Sequence, residues 1–163
     1  MEITIKNQLI VLWPQIVVTI AMFGICYYFN FDEDLTTVFI IGWLAYTLPT
    51  IYLHLEYYFT NRNLTIEITD DKLVITKTEK STKYLIDDIE KVILFKALNL
   101  DKKQIQIVSM ESYYYLKLIT KKGEEIILTC LLDPNIDEVI KKLPGLVVIT
   151  RKRMPFCSIW FNR

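Results

Sequence analysis

Charge is missing from two long stretches of this 163-residue chain: no Asp, Glu, Lys, Arg or His occurs from Asn7 to Phe31, and none from Leu35 to Leu53. Histidine is nearly absent too, occurring once, as His54. One histidine leaves no Ser-His-Asp or Cys-His nucleophile set and no histidine-based metal site to build. The four glycines, at 24, 42, 123 and 145, form no Gly-rich phosphate loop. The three cysteines, Cys26, Cys130 and Cys157, have no near neighbour in sequence, which excludes zinc spacing and a redox pair. Cys26 and Cys130 read as small buried hydrophobes. The acid groups Asp70-Asp71, Asp87-Asp88-Glu90 and Glu124-Glu125 fall at turns or strand ends and read as solvated, not as a cation site. These absences predict a chain without cofactor, metal or catalytic activity.

What the first third does have is apolar length. A bilayer's hydrocarbon core is about 30 Å thick and takes about 20 mostly apolar residues in a helix. The two uncharged stretches predict spans over about 9–29 and 35–55, joined by Phe31-Asp32-Glu33-Asp34. Residues 1–62 are therefore expected to be a transmembrane helical hairpin, and residues 63–163 a separate domain. A cleaved signal peptide is rejected because Tyr27-Tyr28-Phe29, not a small-x-small site, closes the first run, and a second span follows. Trp13 and Tyr27–Phe29 in the first span, and Tyr57-Tyr58-Phe59 after the second, stand where an interfacial aromatic belt would. Gly42 and Ala45 offer a small face for close helix contact. Lys6 and Arg62 flank the spans while the connection carries only acids, so the positive-inside rule places both termini in the cytoplasm of a multi-pass inner-membrane protein. The remaining chain is only mildly basic, too weakly for a nucleic-acid footprint.

From Leu64 the apolar period changes to two. Leu64, Ile66 and Ile68 alternate with Thr65, Glu67 and Thr69, and Leu73–Thr76 follows an Asp70-Asp71 turn, which predicts a β-hairpin. Further strands are predicted near Tyr84–Ile86, at Lys91–Phe95, at Gln104–Met110, at Tyr113–Thr120, at Glu125–Leu131 and at Leu146–Thr150, with a loop over Ala97–Lys103. One helix is predicted over Pro134–Leu143: Asp133 caps it, and Ile136, Val139, Ile140 and Leu143 form a stripe that must be buried. Pro144-Gly145 stops it.

A meander of six or seven short strands closed by one helix is the layout of a pleckstrin-homology (PH) fold. The phrases Asp71-Lys72-Leu73-Val74-Ile75-Thr76, Ile86-Asp87-Asp88-Ile89-Glu90-Lys91-Val92 and Leu116–Glu124 occur in an order and spacing that resembles bacterial PH-like domains over roughly Leu64 to Ile149. The resemblance extends to the two N-terminal membrane helices that many such proteins carry. It implies a membrane α-hairpin followed by an α+β domain: a six- to seven-stranded bent antiparallel sheet or partly open barrel capped by one helix. It also implies a membrane-tethered interaction domain. Lipid-binding PH domains place basic residues around the first hairpin turn; here that turn is Asp70-Asp71-Lys72, whose acids would repel an inositol phosphate.

Two constellations remain. Arg151-Lys152-Arg153 followed by Phe156, Ile159, Trp160 and Phe161 pairs charge with interfacial rings. Such a tail either lies on an anionic leaflet, where each basic residue contributes about 1 kcal/mol, or packs its rings on the sheet or hairpin. His54 and Glu56 form either an intramembrane polar pair or a polar cap on a helix end, the second being favoured because residues two apart do not share a helix face. The expected role is a non-enzymatic binding or scaffolding module whose partners are the bilayer and a protein, with a homo-oligomer also compatible. Two alternatives are an immunity-type protein that binds a toxin at the membrane and a small subunit of a membrane transporter or enzyme.

Overall fold

The computed structural model of the chain describes residues 1–69, 71–102, 108–142 and 148–162. It opens with two long helices, α1 (Ile5–Tyr28) and α2 (Glu33–Asn61). The Thr4 side chain accepts from the Asn7 amide and caps α1. Asp32 does the same for α2 through the Leu35 amide, and Glu33 and Asp34 follow in the first turn, where the helix dipole favours acids. Two of the acids expected in the connection are therefore the start of α2. Pro14 and Pro49 both lie inside their helices. Both helices are long and apolar enough to cross a membrane by length and composition.

Seven strands follow among the described residues: β1 (Leu64–Ile68), β2 (Lys72–Lys77), β3 (Lys80–Leu85), β4 (Ile89–Lys96), β5 (Tyr115–Thr120), β6 (Glu125–Thr129) and β7 (Val148–Arg153). They form two unclosed sheets, a three-stranded one ordered β1-β2-β3 and a four-stranded one ordered β6-β5-β4-β7. This corrects the expected bent antiparallel sheet, because β7 runs parallel to β4, with Lys91 opposite Val148 and Lys96 opposite Arg153. A parallel neighbour needs a crossover, and the chain between β6 and β7 supplies it.

The predicted helix sits in that crossover but is a 3-10 segment, Ile136–Lys142. Its entry is made of i→i−3 bonds: the Ile136 amide donates to Asp133 O and the Glu138 amide to Asn135 O. Asp133 Oδ1 accepts from the Asn135 amide, holding a tight turn in place of an α-helical cap. Ile136 and Val139 are buried and Ile140 is half-buried, while Leu143, Pro144 and Gly145 lie outside the described residues. Three other expectations also change. Leu98–Asp101 is a single helical turn inside the expected loop. Ser109–Ser112 is a 3-10 turn instead of a strand, and 104–107 lies outside the described residues. Arg151-Lys152-Arg153 ends β7 and is no tail.

One core joins helices and sheets. Val11 of α1 and Leu53 and Tyr57 of α2 belong to the same buried cluster as Ile66, Leu73, Val92, Leu94, Leu116, Leu118 and Leu128. The expected boundary at 62/63 falls between α2 and β1, and this core crosses it. Tyr114 braces the 3-10 segment: its hydroxyl donates to Pro134 O and lies 3.2 Å from Asp137 Oδ1. Lys96 Nζ is 2.8 Å from Asp137 Oδ2 and 4.6 Å from the centre of the Tyr114 ring.

Because Ile136 is fully buried and Ile140 only half so, Ile136→Ala should cost about 2–5 kcal/mol in a denaturant titration of the full chain, and Ile140→Ala less. An equal or reversed order would show that the 3-10 segment is not seated as described.

Partial burial alone would raise the Asp137 carboxyl, but the hydrogen bond and charge of Lys96 outweigh it and hold Asp137 below the ordinary carboxylate range. A depressed folded-state value gives stability that is present above the unfolded-state value, about 4, and is lost as pH falls through the folded value. Thermal melts of wild type and Asp137→Asn should therefore differ near neutral pH and converge in acid below that range. A constant difference would mean that Asp137 contributes no proton-linked stability.

Candidate functional site

The chemistry-bearing side chains gather where the N-terminal end of α1 and the C-terminal end of α2 meet the domain. Three hydrogen-bonded pairs set the register of the helices: His54 Nε2 with Gln8 Oε1 at 3.1 Å, Gln15 Nε2 with Thr47 Oγ1 at 2.6 Å, and Trp43 Nε1 with Thr19 Oγ1 at 3.0 Å. The numbers in each pair add to 62, so the helices run antiparallel and residue 10 of α1 lies level with residue 52 of α2. Toward the hairpin tip the helices part. A cleft of about 500 Å³ lies between them, lined by Val18, Ala21, Met22, Gly42 and Trp43. Gly42 has open space where a Cβ would stand, so it does not serve the close helix contact expected of it.

Below that cleft, the polar residues of α2 turn to different neighbours. His54 reaches Tyr113 with Nδ1, at 3.0 Å from its hydroxyl. With the proton on Nε2, a neutral ring donates to Gln8 Oε1 and accepts from Tyr113. Burial raises the Tyr113 phenol, which keeps it a hydroxyl donor. Tyr57 Oη donates to Cys157 O at 2.6 Å, and its ring meets Tyr113 and Tyr115 edge-on at 5.4 and 6.1 Å. Asn61 ends the helix by imitating a strand: Nδ2 donates to Ile127 O and Oδ1 accepts from the Thr129 amide, both at 2.9 Å. On α1, Asn7 Nδ2 donates to Leu132 O at 2.8 Å.

Glu56 is only 1% exposed. Its Oε1 accepts from Ser158 Oγ at 2.9 Å and from the Trp160 amide at 2.7 Å. Its Oε2 has no hydrogen-bond partner among the described residues. The carboxylate thus holds the C-terminal segment against α2, and Cys157, Ser158 and Ile159 are buried there. His54 and Glu56 do not form a pair: one faces Gln8 and Tyr113, the other the C-terminal segment. The rings of that segment surround Tyr52 of α2, with Phe156 stacked at 5.9 Å, Trp160 edge-on at 5.9 Å and Phe161 tilted at 6.2 Å. The basic triplet stays exposed on β7. Arg153 Nε bonds Asp101 Oδ2 at 2.8 Å, Arg151 Nη1 approaches Asp101 Oδ1 at 3.6 Å, and Lys152 lies over the Phe95 ring.

Of the residues singled out in the sequence, Glu56, Phe156, Trp160 and Phe161 come together. Arg151 and Arg153 converge on Asp101, and His54 stands apart. Gln8, Tyr46, Asn61 and Tyr113 were not anticipated, and Tyr57, expected among the interfacial rings, is fully buried in the core instead. Tyr46 matters because its hydroxyl lies 2.9 Å from both the amide and the Oγ of Ser109, tying the 3-10 turn Ser109–Ser112 to α2. A polar Asn61 at the end of an apolar helix was the one available signal. No group of three His, Cys, Asp or Glu converges as a metal site among the described residues.

The chain matches a family model. The model for the PH domain covers residues 2–138, and the chain belongs to that family. The match takes in both long helices and ends before β7 and the aromatic segment. Neither the curated proteins nor the solved structures give a significant match.

Burial pushes the thiols of Cys130 and Cys157 up to about 12. Neither should react with iodoacetamide near neutral pH in the folded chain, since the thiolate is the nucleophile. Glu56→Ala frees the segment carrying Cys157 and leaves Cys130 in the core. Mass-spectrometric mapping should then find Cys157 alkylated and Cys130 still protected. Equal protection of both in the variant would show that Glu56 does not hold the segment.

Proposed function

We propose that this protein is a non-enzymatic, membrane-anchored PH-like binding or scaffolding module at the cytoplasmic face of the inner membrane. One observation carries the reading. α2 passes without interruption from an uncharged stretch into the domain core, where Leu53, Glu56, Tyr57 and Asn61 are all buried. A flexible tether would let the domain tumble. A helix shared between anchor and core fixes its height and its facing, which is what a scaffold at a surface requires. The many exposed apolar side chains on both helices, among them Leu9, Val17, Ile20, Val38, Ile41 and Leu48, favour a lipid environment for them. Lys6 and Arg62 at the domain end, with acids at Asp32–Asp34, support cytoplasmic termini.

The partner we favour is a protein. Glu67 and Asp71 flank the turn between β1 and β2, so an inositol phosphate would meet repulsion there. An immunity-type role would use the same anchored geometry and differ only in the identity of that partner. The transporter-subunit reading needs His54 and Glu56 to act together, and their separate hydrogen bonds give it no support.

Alkaline carbonate extraction tests the anchor. The full chain should stay in the membrane pellet, and release into the supernatant would overturn the proposal. Crosslinking from intact membranes should then yield an adduct with a second protein.

A further inference from the structure

The C-terminal segment, Met154–Asn162, holds its rings in an unusual way. It is pinned tightly: Glu56 accepts two hydrogen bonds from it, Tyr57 donates a third to it, and Asn162 Nδ2 bonds back to Ser158 O. Yet the pinning turns its largest rings outward. Trp160 is 54% exposed and Phe161 76%, while Cys157, Ser158 and Ile159 fill the interior. A segment folded only for core packing would do the reverse, because burying a large ring contributes far more than burying a serine.

The height of these rings identifies what covers them. They surround Tyr52, which lies level with Ile10 of α1 by the register of the helices. Trp13, 62% exposed, stands within one turn of that level, and Leu48, Ile51 and Leu55 are exposed on α2 around it. At the hairpin tip a second group of exposed rings occurs: Tyr27, Tyr28, Phe29 and Phe31. From the Ile10 level to Tyr28 is 18 residues of helix, about 27 Å at 1.5 Å per residue. That is close to the ~30 Å hydrocarbon core of a bilayer. Aromatic rings at both edges of such a slab are the interfacial belts of membrane proteins.

We propose that Met154–Asn162 is an interfacial anchor: Glu56 holds the segment so that Trp160 and Phe161 enter the headgroup layer of the inner leaflet beside Trp13 and Tyr52. This rests on the membrane-anchored reading and adds a third point of contact to the two helices. Three points prevent the domain from rotating about the hairpin. Arg151, Lys152 and Arg153, on the adjoining strand, carry three positive charges, and among the described residues Asp101 is the acid that Arg151 and Arg153 reach, so an anionic leaflet is the surface they fit.

The test uses the full chain in vesicles of zwitterionic and anionic phospholipid. Trp13→Phe with Trp43→Phe leaves Trp160 as the sole tryptophan. Its emission should be blue-shifted, shielded from acrylamide, and quenched more by lipids brominated near the headgroup than by lipids brominated near the chain end. Emission typical of water, quenched by acrylamide and not by brominated lipid, overturns the proposal. Shielding from both quenchers overturns it as well, because it assigns the rings to a second copy or a protein partner. If the double variant does not fold, Trp160→Phe in the otherwise native chain reads the same quantity by difference: it should remove the component quenched by shallow bromines. An unchanged quenching pattern would exclude Trp160 from the interface. Carbonate extraction of the same vesicles separates the two readings, since a retained chain with a water-exposed Trp160 rejects the anchor segment and leaves the hairpin standing.

Discussion

The structure depends on one constraint: the last turns of α2 belong to two environments at once. Over Leu53–Asn61 one face of the helix, through Leu53, Glu56, Tyr57 and Asn61, is buried in the domain, while Leu55, Tyr58 and Phe59 on the other face stay exposed. The buried face is not merely apolar. Asn61 completes the edge of β6, Tyr57 takes the Cys157 carbonyl, and Glu56 takes the Ser158 hydroxyl and the Trp160 amide. Each of these would be costly to leave unmet in an interior. They make the helix–domain joint specific in register as well as favourable in burial. A slip of one residue along α2 rotates the face by about 100° and would strand all three groups.

The helix pair follows the same rule. Gln8, Gln15, Thr19, Trp43, Thr47 and His54 are the polar side chains on which the register of α1 against α2 rests, and they meet one another across the pair. In hydrocarbon an unpaired polar group costs several kcal/mol, so on the membrane-anchored reading these pairs also hold the helices together where apolar packing is loose. The packing is indeed loose toward the tip, where the cleft beside Gly42 opens. His54 fits this account as a structural bridge: it ties Gln8 of α1 to Tyr113 of the domain, and its single histidine ring uses both nitrogens in doing so.

Much of this was legible in the chain. The uncharged runs marked both helices, and the period-two alternation from Leu64 marked β1 and β2. The order of the short phrases pointed to the PH family, which the family match over residues 2–138 bears out. The α-helical stripe over Ile136–Leu143 was read correctly for Ile136 and Val139 but in the wrong helical form, because a Tyr114 hydroxyl and an Asp133 side chain draw the backbone into a tighter turn. The Tyr114 contact, 20 residues away in sequence, leaves no local signature. The parallel pairing of β7 was also hidden, since a hydrophobic run such as Leu146–Thr150 does not say which neighbour it meets or in which direction. Glu56 was misjudged for a related reason. In sequence it stands two residues from His54, while its actual partners, Ser158 and Trp160, are about a hundred residues away.

That separation explains why the aromatic segment could not be placed from sequence alone. The reading of the tail as packed against protein holds for only part of it. Its backbone and small side chains pack against α2, while the outer faces of Trp160 and Phe161 remain open. An exposed tryptophan on a mobile tail would lose conformational freedom whenever it met a surface, at a cost of about 1–2 kcal/mol for each backbone residue ordered. Here Glu56 and Tyr57 have already ordered the segment during folding. On the proposed reading, the apolar contact with lipid is then not offset by that entropy. On that reading the Glu56 side chain is what sets the outer rings of the segment in place.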